Sequence, residues 1–272
     1  MDVKKVAGSD LMWEAKDLHG ETWFKAKISL YDFSSVETTD EKTSALLQKL
    51  LKNAVRLNPE FLDKWNGFKV ITHLEFDREW GLGSSSTLIH LIGQWADVQP
   101  LSLFFKCMDG SGYDVACAGV ETPIVYYNDA DEIGYTPVTF SPSFHDKLYF
   151  VYLNEKQSTP EGIVSYMKKA KGRKTLAKKI TKITDALVEN NSFDTFCTLI
   201  EEHEALIHDS TGFPILKEAL FSDFPGSIKS LGAWGGDFCL AACKSDSSVV
   251  NEYFSNRGYN TIIPFASMIL KQ

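Results

Sequence analysis

The chain has 272 residues, 44% hydrophobic and 24% charged, a composition typical of a globular protein with one large domain or two modest ones. Its formal net charge is −8, and its basic run at 168–182 is interleaved with apolar residues, as in a solvated helix face. Nucleic acid is therefore not expected as a partner.

The cysteines, the histidines and the hydropathy of the chain argue against further classes of protein. The five cysteines include no C-x-x-C pair and the N-terminus has no signal-peptide core, so we expect a reducing, cytoplasmic compartment. No apolar run approaches the ~20 residues that cross a bilayer, and the six histidines lack metal-site spacing. We expect a small-molecule substrate, no membrane partner, and a monomer or homodimer.

The first half of the chain is predicted to mix strands and helices. After a polar start, residues 22–31 alternate in the manner of a strand, and leucines at helical spacing predict a helix over 40–57 with Thr39 as its cap. The predicted elements that follow are a strand over 68–76, helices over 87–96, 100–107 and 114–118, and strands over 122–127, 136–140 and 148–153.

The second half is predicted to be helical first and mixed at its end. The breaker Ser141-Pro142-Ser143 places a domain boundary near it, giving domains 1–145 and 146–272. The predicted helices cover 160–170, 175–189, 193–208 and 213–220. After them come a strand over 228–232, a strand over 238–243, a helix over 249–256 and a strand over 261–265.

A glycine- and serine-rich turn between a predicted strand and a predicted helix is a candidate anion site. In Gly81-Leu82-Gly83-Ser84-Ser85-Ser86, the glycines permit close backbone approach and the helix start supplies unpaired N–H groups. A dinucleotide-binding loop fits poorly, because the third glycine position is Ser86 and the segment after the helix is predicted helical. A Walker loop is absent.

Two further turns add a carboxylate and a second glycine-rich loop. Asp114 follows the Ser111-Gly112-Tyr113 turn and is either a helix N-cap or a general base for a hydroxyl. The loop at 232–237 joins two predicted strands and is either a β-turn with a packed Trp234 or part of the same site.

The order and spacing of these turns resemble the GHMP family of metabolite kinases, named for galactose, homoserine, mevalonate and phosphomevalonate. Residues 81–86 resemble the family's G-L-G-S-S-A segment, 111–114 its S-G-x-D segment, and 232–237 its G-A-G-G-G-G segment. The run 112–116, G-Y-D-V-A, is similar to the subgroup named for G-Y-D-I-A, which includes mevalonate kinase-like members.

The resemblance implies an α+β, two-lobed fold, with an N-terminal lobe like a ribosomal S5 domain and a ferredoxin-like C-terminal lobe. It also implies ATP and Mg²⁺ as cofactors, Ser85 as a contributor to Mg²⁺ binding, and Asp114 as the catalytic base. The residues that it places at the nucleotide are Gly81, Leu82, Gly83, Ser84, Ser85, Ser86, Gly232, Ala233, Gly235 and Gly236.

Three departures from the family pattern stand out. The acidic Mg²⁺ ligand of mevalonate kinases has no counterpart at 101–105, so metal ligation relies on water or on another acid such as Asp97 or Asp109. Trp234 and Asp237 replace glycines. The opening strand and G-K-x-x-x-x-G-E-Y motif also find no match, so either a segment before Met1 is lacking, leaving a strand position unfilled, or this branch works differently.

We therefore expect an ATP-dependent kinase acting on a small alcohol, with mevalonate as first choice because Asp114 suits an alcohol and Ser158-Thr159 resembles mevalonate-pathway kinases. Phosphomevalonate kinase and diphosphomevalonate decarboxylase activities are the alternatives on the same fold. A noncatalytic nucleotide-binding or interaction protein is the alternative of another class.

Overall fold

A computed structural model describes residues 1–62, 66–128, 132–155, 164, 166–168, 172–232 and 236–270. The chain divides into two compact units. The first unit comprises Met1–Arg78, Leu82–Val120 and Tyr126–Gly134, and the second comprises Glu79–Gly81, Glu121–Val125 and Tyr135–Gln272. The division at 134–135 lies near the predicted boundary after residue 145, which stays a prediction.

The first unit contains a five-stranded mixed sheet. Its strands are β1 (Asp2–Val6), β2 (Asp10–Lys16), β3 (Thr22–Ser29), β4 (Ser35–Thr38) and β5 (Gly67–His73). The order is β1-β5-β2-β3-β4, with β2 parallel to β5 and the other pairs antiparallel.

The start of the chain, described from the sequence only as polar, contains two strands that were not predicted, because β1 and β2 precede residue 22. In β2, Leu11, Trp13 and Ala15 are buried and alternate with less buried residues, the period-2 signature of a strand covered on one face.

Four helices of the first unit are α1 (Glu41–Leu57), α2 (Ser84–Trp95), α3 (Pro100–Cys107) and α4 (Tyr113–Cys117). Leucines of α1 at the predicted spacing enter one buried cluster with β2, β3, α2 and α3. The predicted cap was wrong by one residue, since Asp40 occupies the N-cap position and its carboxylate accepts the Thr43 N–H at 2.7 Å.

The second unit is built on a four-stranded antiparallel sheet. Its strands are β8 (Leu148–Tyr152), β9 (Ser227–Ser230), β10 (Phe238–Ala242) and β11 (Ile262–Pro264), in the order β11-β8-β10-β9. Numbered along the chain, the order is 4-1-3-2, which is the ferredoxin-like arrangement that the resemblance implied. The strands β6 (Ile124–Asn128) and β7 (Ile133–Pro137) pair separately.

Helices of the second unit contribute to two buried clusters. They are α5 (Arg173–Glu189), α6 (Phe193–Thr211), α7 (Leu216–Leu220), α8 (Ser247–Ser255) and α9 (Phe265–Met268). One cluster joins α6 and α9 to Leu148 and Leu240, and the other joins α7 and α8 to Val151 and Ala241. Two single turns, Arg78–Trp80 and His145–Lys147, are 3₁₀ helices. The predicted helix over 160–170 falls largely outside the described residues.

Candidate active site

The serine-rich turn begins helix α2 and leaves its N-terminus open. Gly83 occupies the N-cap position in a left-handed conformation (φ 77°), and its carbonyl accepts hydrogen bonds from the N–H and hydroxyl of Thr87. Among the described residues no side chain makes a capping hydrogen bond to this helix, and Ser84 and Ser85 are exposed. The N–H groups of the first turn and the positive end of the helix dipole are therefore groups to which an anion can bind.

The first glycine of the turn belongs to the second unit, whereas Leu82 and the residues after it belong to the first. Trp80 packs edge-on against Phe238, and the Tyr152 hydroxyl donates to the Glu79 carbonyl at 3.0 Å. Gly81 (φ 64°) lies so close to the carboxylate of Asp237 that an added Cβ would overlap it. Gly81 is thus required both for its backbone conformation and for this close approach.

Asp114 lies in the first turn of α4, after a second glycine in the left-handed region. Gly112 is the N-cap residue (φ 79°), and a Cβ there would come within 2.9 Å of Leu101 Cδ2 and 3.2 Å of Phe105 Cζ. Because Gly112 holds the N-cap position, Asp114 is not the N-cap, and it lies instead in the first turn of the helix. The N-cap interpretation of Asp114 is therefore wrong, whereas a general-base role stays a prediction.

An aromatic pair holds the turn before Asp114. The hydroxyl of Tyr126, on β6, donates to the Ser111 carbonyl, and the Tyr126 ring meets Tyr113 edge-on at 5.7 Å between centroids. Strand β6 thus contacts the segment that presents the carboxylate through Tyr126. Sequence reasoning missed Tyr126, because a contact across 15 residues leaves no periodic signal.

The carboxyl group of Asp114 sits in a desolvating environment. Although part of the residue is exposed, burial of the carboxyl group raises the pKa of Asp114. Burial likewise raises the pKa values of Tyr113 and Cys117, whose side chains interact with each other. A carboxylate with a raised pKa is the kind of group that serves as a general base.

Helices α2 and α4 pack directly against each other within the first unit. His90 of α2 lies against Gly119, just beyond α4, where a side chain would overlap the imidazole ring. Burial lowers the pKa of His90, which favours the neutral ring at this contact. The open N-terminus of α2 and the carboxylate of α4 are therefore carried by two helices in contact.

The third motif is described only at its ends. Gly232 is exposed and left-handed (φ 61°), and Gly236 is buried. The Leu231 N–H donates to the Phe238 carbonyl and closes the loop between β9 and β10. The predicted site residues Ala233 and Gly235, as well as Trp234, lie outside the described residues.

The predicted site residues thus fall into two groups. The first unit holds Leu82, Gly83, Ser84, Ser85, Ser86 and Asp114, and the second holds Gly81, Gly232 and Gly236. Trp80 and Tyr152 support Gly81 and were not predicted, although Trp80 directly precedes the motif. Within the described residues, no group of three or more His, Cys, Asp or Glu side chains could hold a metal ion, and no helix is long and apolar enough to span a membrane.

The sequence matches no family model and no curated protein. Solved structures, in contrast, share the fold. The mevalonate kinase of Methanococcus jannaschii has a TM-score of 0.66 at 13% identity, covering 96% of this chain and 86% of its own. The phosphomevalonate kinase of Streptococcus pneumoniae, solved with phosphomevalonate and AMPPNP, has a TM-score of 0.66 at 15% identity, covering 96% and 88%.

A third structure extends the comparison to another reaction. The mevalonate diphosphate decarboxylase of Staphylococcus aureus has a TM-score of 0.57 at 12% identity, covering 96% of this chain and 81% of its own. The chain therefore has the mevalonate kinase-like α+β fold of the GHMP kinases, which confirms the fold predicted from the three motifs.

Proposed function

We propose that the protein is an ATP-dependent kinase that transfers the γ-phosphoryl group to a hydroxyl of a small metabolite. One observation carries the proposal: two helices in contact present an uncapped glycine-serine N-terminus and a carboxylate whose pKa is raised. Phosphoryl transfer requires donors that neutralise phosphate charge and an acceptor for the nucleophile's proton. Kinases among the solved structures of this fold support the same function.

In this proposal the glycine-serine turn binds the phosphates of ATP. The N–H groups of Ser84, Ser85 and Ser86 would donate to phosphate oxygens, and the glycines allow the backbone to approach them closely. By analogy with the family motifs, the other residues of the nucleotide site would be Gly81, Leu82, Gly83, Gly232, Ala233, Gly235 and Gly236.

The turn offers one side-chain oxygen for a Mg²⁺ ion. At phosphate-transfer sites Mg²⁺ is usually held by one or two carboxylates, substrate phosphates and several waters rather than by a dedicated cluster of protein acids. Within the described ranges no such cluster occurs, and the exposed hydroxyl of Ser85 would supply a protein ligand. When bound, the ion neutralises charge on the transferring phosphoryl group.

Asp114 would accept the proton of the substrate hydroxyl. Burial raises its pKa, which makes the ionised carboxylate more basic than that of an exposed aspartate. Gly112 and Tyr126 hold the turn that presents it.

Mevalonate is the substrate that we propose first. An alcohol suits a carboxylate base, and a mevalonate kinase shares the fold. The supporting segment Ser158-Thr159 lies outside the described residues. Phosphorylation of phosphomevalonate and decarboxylation of diphosphomevalonate are the alternatives, because enzymes of both names share the fold as well.

Product analysis by mass spectrometry tests the proposal. The protein is incubated with MgATP and, separately, with mevalonate, phosphomevalonate or diphosphomevalonate. A phosphorylated product from one of the first two supports a kinase, whereas loss of CO₂ from the third identifies a decarboxylase. Absence of any product in all three reactions contradicts the proposed activity on these substrates.

A noncatalytic nucleotide-binding protein is the second candidate, and one contact favours it. The carboxylate of Asp237 lies against Gly81, the first glycine of the turn, and a carboxylate repels a phosphate where no cation lies between them. Under this alternative, ADP or ATP raises the melting temperature while none of the three substrates is converted. Thermal denaturation with and without nucleotide, measured beside the product assay, separates the two candidates.

A further inference from the structure

The N–H, hydroxyl and carbonyl groups of Ser230, the last residue of β9, all make hydrogen bonds to two charged side chains. The Glu204 carboxylate, on α6, accepts the Ser230 N–H at 3.1 Å and its hydroxyl at 2.8 and 2.9 Å. The Lys229 ammonium donates to the Ser230 carbonyl at 3.1 Å and pairs with Glu204 at 3.4 Å. Ser230 is thereby fixed in position through both its backbone and its side chain.

We call Glu204 and Lys229, with their hydrogen bonds to Ser230, the clamp. The position of β9 in the sheet explains why these hydrogen bonds are needed. β9 pairs with β10 on one side and is the edge strand of its sheet as far as the chain is described, so no described strand neighbours its outward N–H and C=O groups. Glu204 and Lys229 take the place of that strand at Ser230, just where the chain leaves the sheet.

The clamp is charged and almost fully shielded from water. The Glu204 side chain is 4% exposed and that of Lys229 is 19% exposed. Burial alone would raise the pKa of Glu204, but hydrogen bonds from His203 and Ser230 and the charge of Lys229 outweigh it, so this pKa is lowered. The carboxylate therefore stays ionised, and charged hydrogen bonds of this kind are stronger than neutral ones.

The clamp lies two residues before the glycine-rich loop of the candidate site. Gly232 is left-handed, and among the described residues no atom outside its chain neighbours lies within 4 Å of an added Cβ, so the described contacts nearest to the start of the loop are those of Ser230 and Leu231. We propose that Glu204, acting with Lys229, is a positioning residue that fixes the start of the nucleotide-binding loop through Ser230. The inference rests on the proposed function insofar as that loop binds nucleotide.

The chain contains a matched control for this clamp. Three residues earlier on the same strand, the Ser227 hydroxyl donates to Glu201 of the same helix at 2.6 Å. Glu204→Gln and Ser230→Ala are therefore compared with Glu201→Gln and Ser227→Ala, using ADP affinity by calorimetry and amide hydrogen exchange of the segment containing Leu231 and Gly232. The first pair should weaken ADP binding about tenfold and speed exchange in this segment, since each variant removes hydrogen bonds to an ionised group.

The control pair should leave both quantities at their wild-type values. The inference is overturned if Glu204→Gln and Ser230→Ala lower the melting temperature while ADP affinity and exchange of this segment stay unchanged, because Glu204 would then be merely structural. Hydrogen exchange needs no nucleotide. If the wild type fails to bind ADP, the proposed function fails, and the exchange measurement still decides whether Glu204 positions the loop.

Discussion

Replacing Gly83 by valine tests the phosphate-binding turn most sharply. Gly83 has φ 77° and ψ 35°, and the nearest described atom to an added Cβ is Ser86 Cβ at 3.9 Å, so the Cβ itself fits and the substitution acts mainly through backbone strain. Strain of this kind costs about 2 kcal/mol, which lowers the melting temperature by about 4 to 8 °C. Because the branched side chain also blocks close approach to the turn, calorimetry should show ADP affinity reduced more than tenfold.

Gly212 provides the control, since it separates strain from ligand binding. It ends α6 in a similar left-handed conformation, with φ 69° and ψ 15°, and no atom lies within 4 Å of an added Cβ. Gly212→Val should therefore cost similar stability and leave ADP affinity unchanged. Unchanged affinity in Gly83→Val, or an equal loss in both variants, would refute the assignment of the turn to phosphate binding.

Three further substitutions test the remaining parts of the site. Asp114→Asn should abolish turnover but leave ADP affinity nearly intact. Because the pKa of Asp114 is raised in the folded protein, its ionised form destabilises the fold above that pKa. Scanning calorimetry should therefore show a higher melting temperature for the variant than for the wild type at pH 7, but not near pH 3. Tyr126→Phe removes the hydrogen bond to Ser111 and should lower kcat severalfold with little change in the KM for ATP; an effect confined to KM would contradict its role in holding the turn. Asp237→Asn removes the negative charge beside Gly81 and should strengthen binding of ADP without Mg²⁺ by about fivefold or more, and equal affinities would show that the carboxylate does not oppose phosphate.

Most helices and several strands of the described residues could be predicted from hydrophobic periodicity and from residues that start or break elements, whereas β1, β2 and β4 were not predicted and the fold class followed from the family resemblance. The leucines of α1 and the alternation of β3 mark their elements, and Pro100 begins α3 where expected. Helix α2 begins three residues earlier than predicted, because Gly83 acts as N-cap and the serines form its first turn. Strand β1 offered a weaker signal, since an edge strand with exposed lysines buries little apolar surface.

The candidate site was predictable where its residues are adjacent in the sequence. Gly83 and Asp114 belong to local motifs, so their positions at helix starts follow from short-range rules. Tyr126 and Glu204 act through contacts between distant segments, and an acid inside a helix usually indicates a solvated face. Only the pairing of β9 with β10 and the packing of α6 on that sheet reveal that Glu204 is buried.

The most direct test of the account is acceptor-dependent ADP release from MgATP, measured for the wild type and for Asp114→Asn. We predict that the wild type releases ADP in proportion to added mevalonate or phosphomevalonate, and that Asp114→Asn releases none while it still binds nucleotide. Equal ADP release by the two proteins would remove Asp114 from the mechanism. A wild type that neither binds ADP nor releases it with either acceptor would contradict the assignment as a kinase.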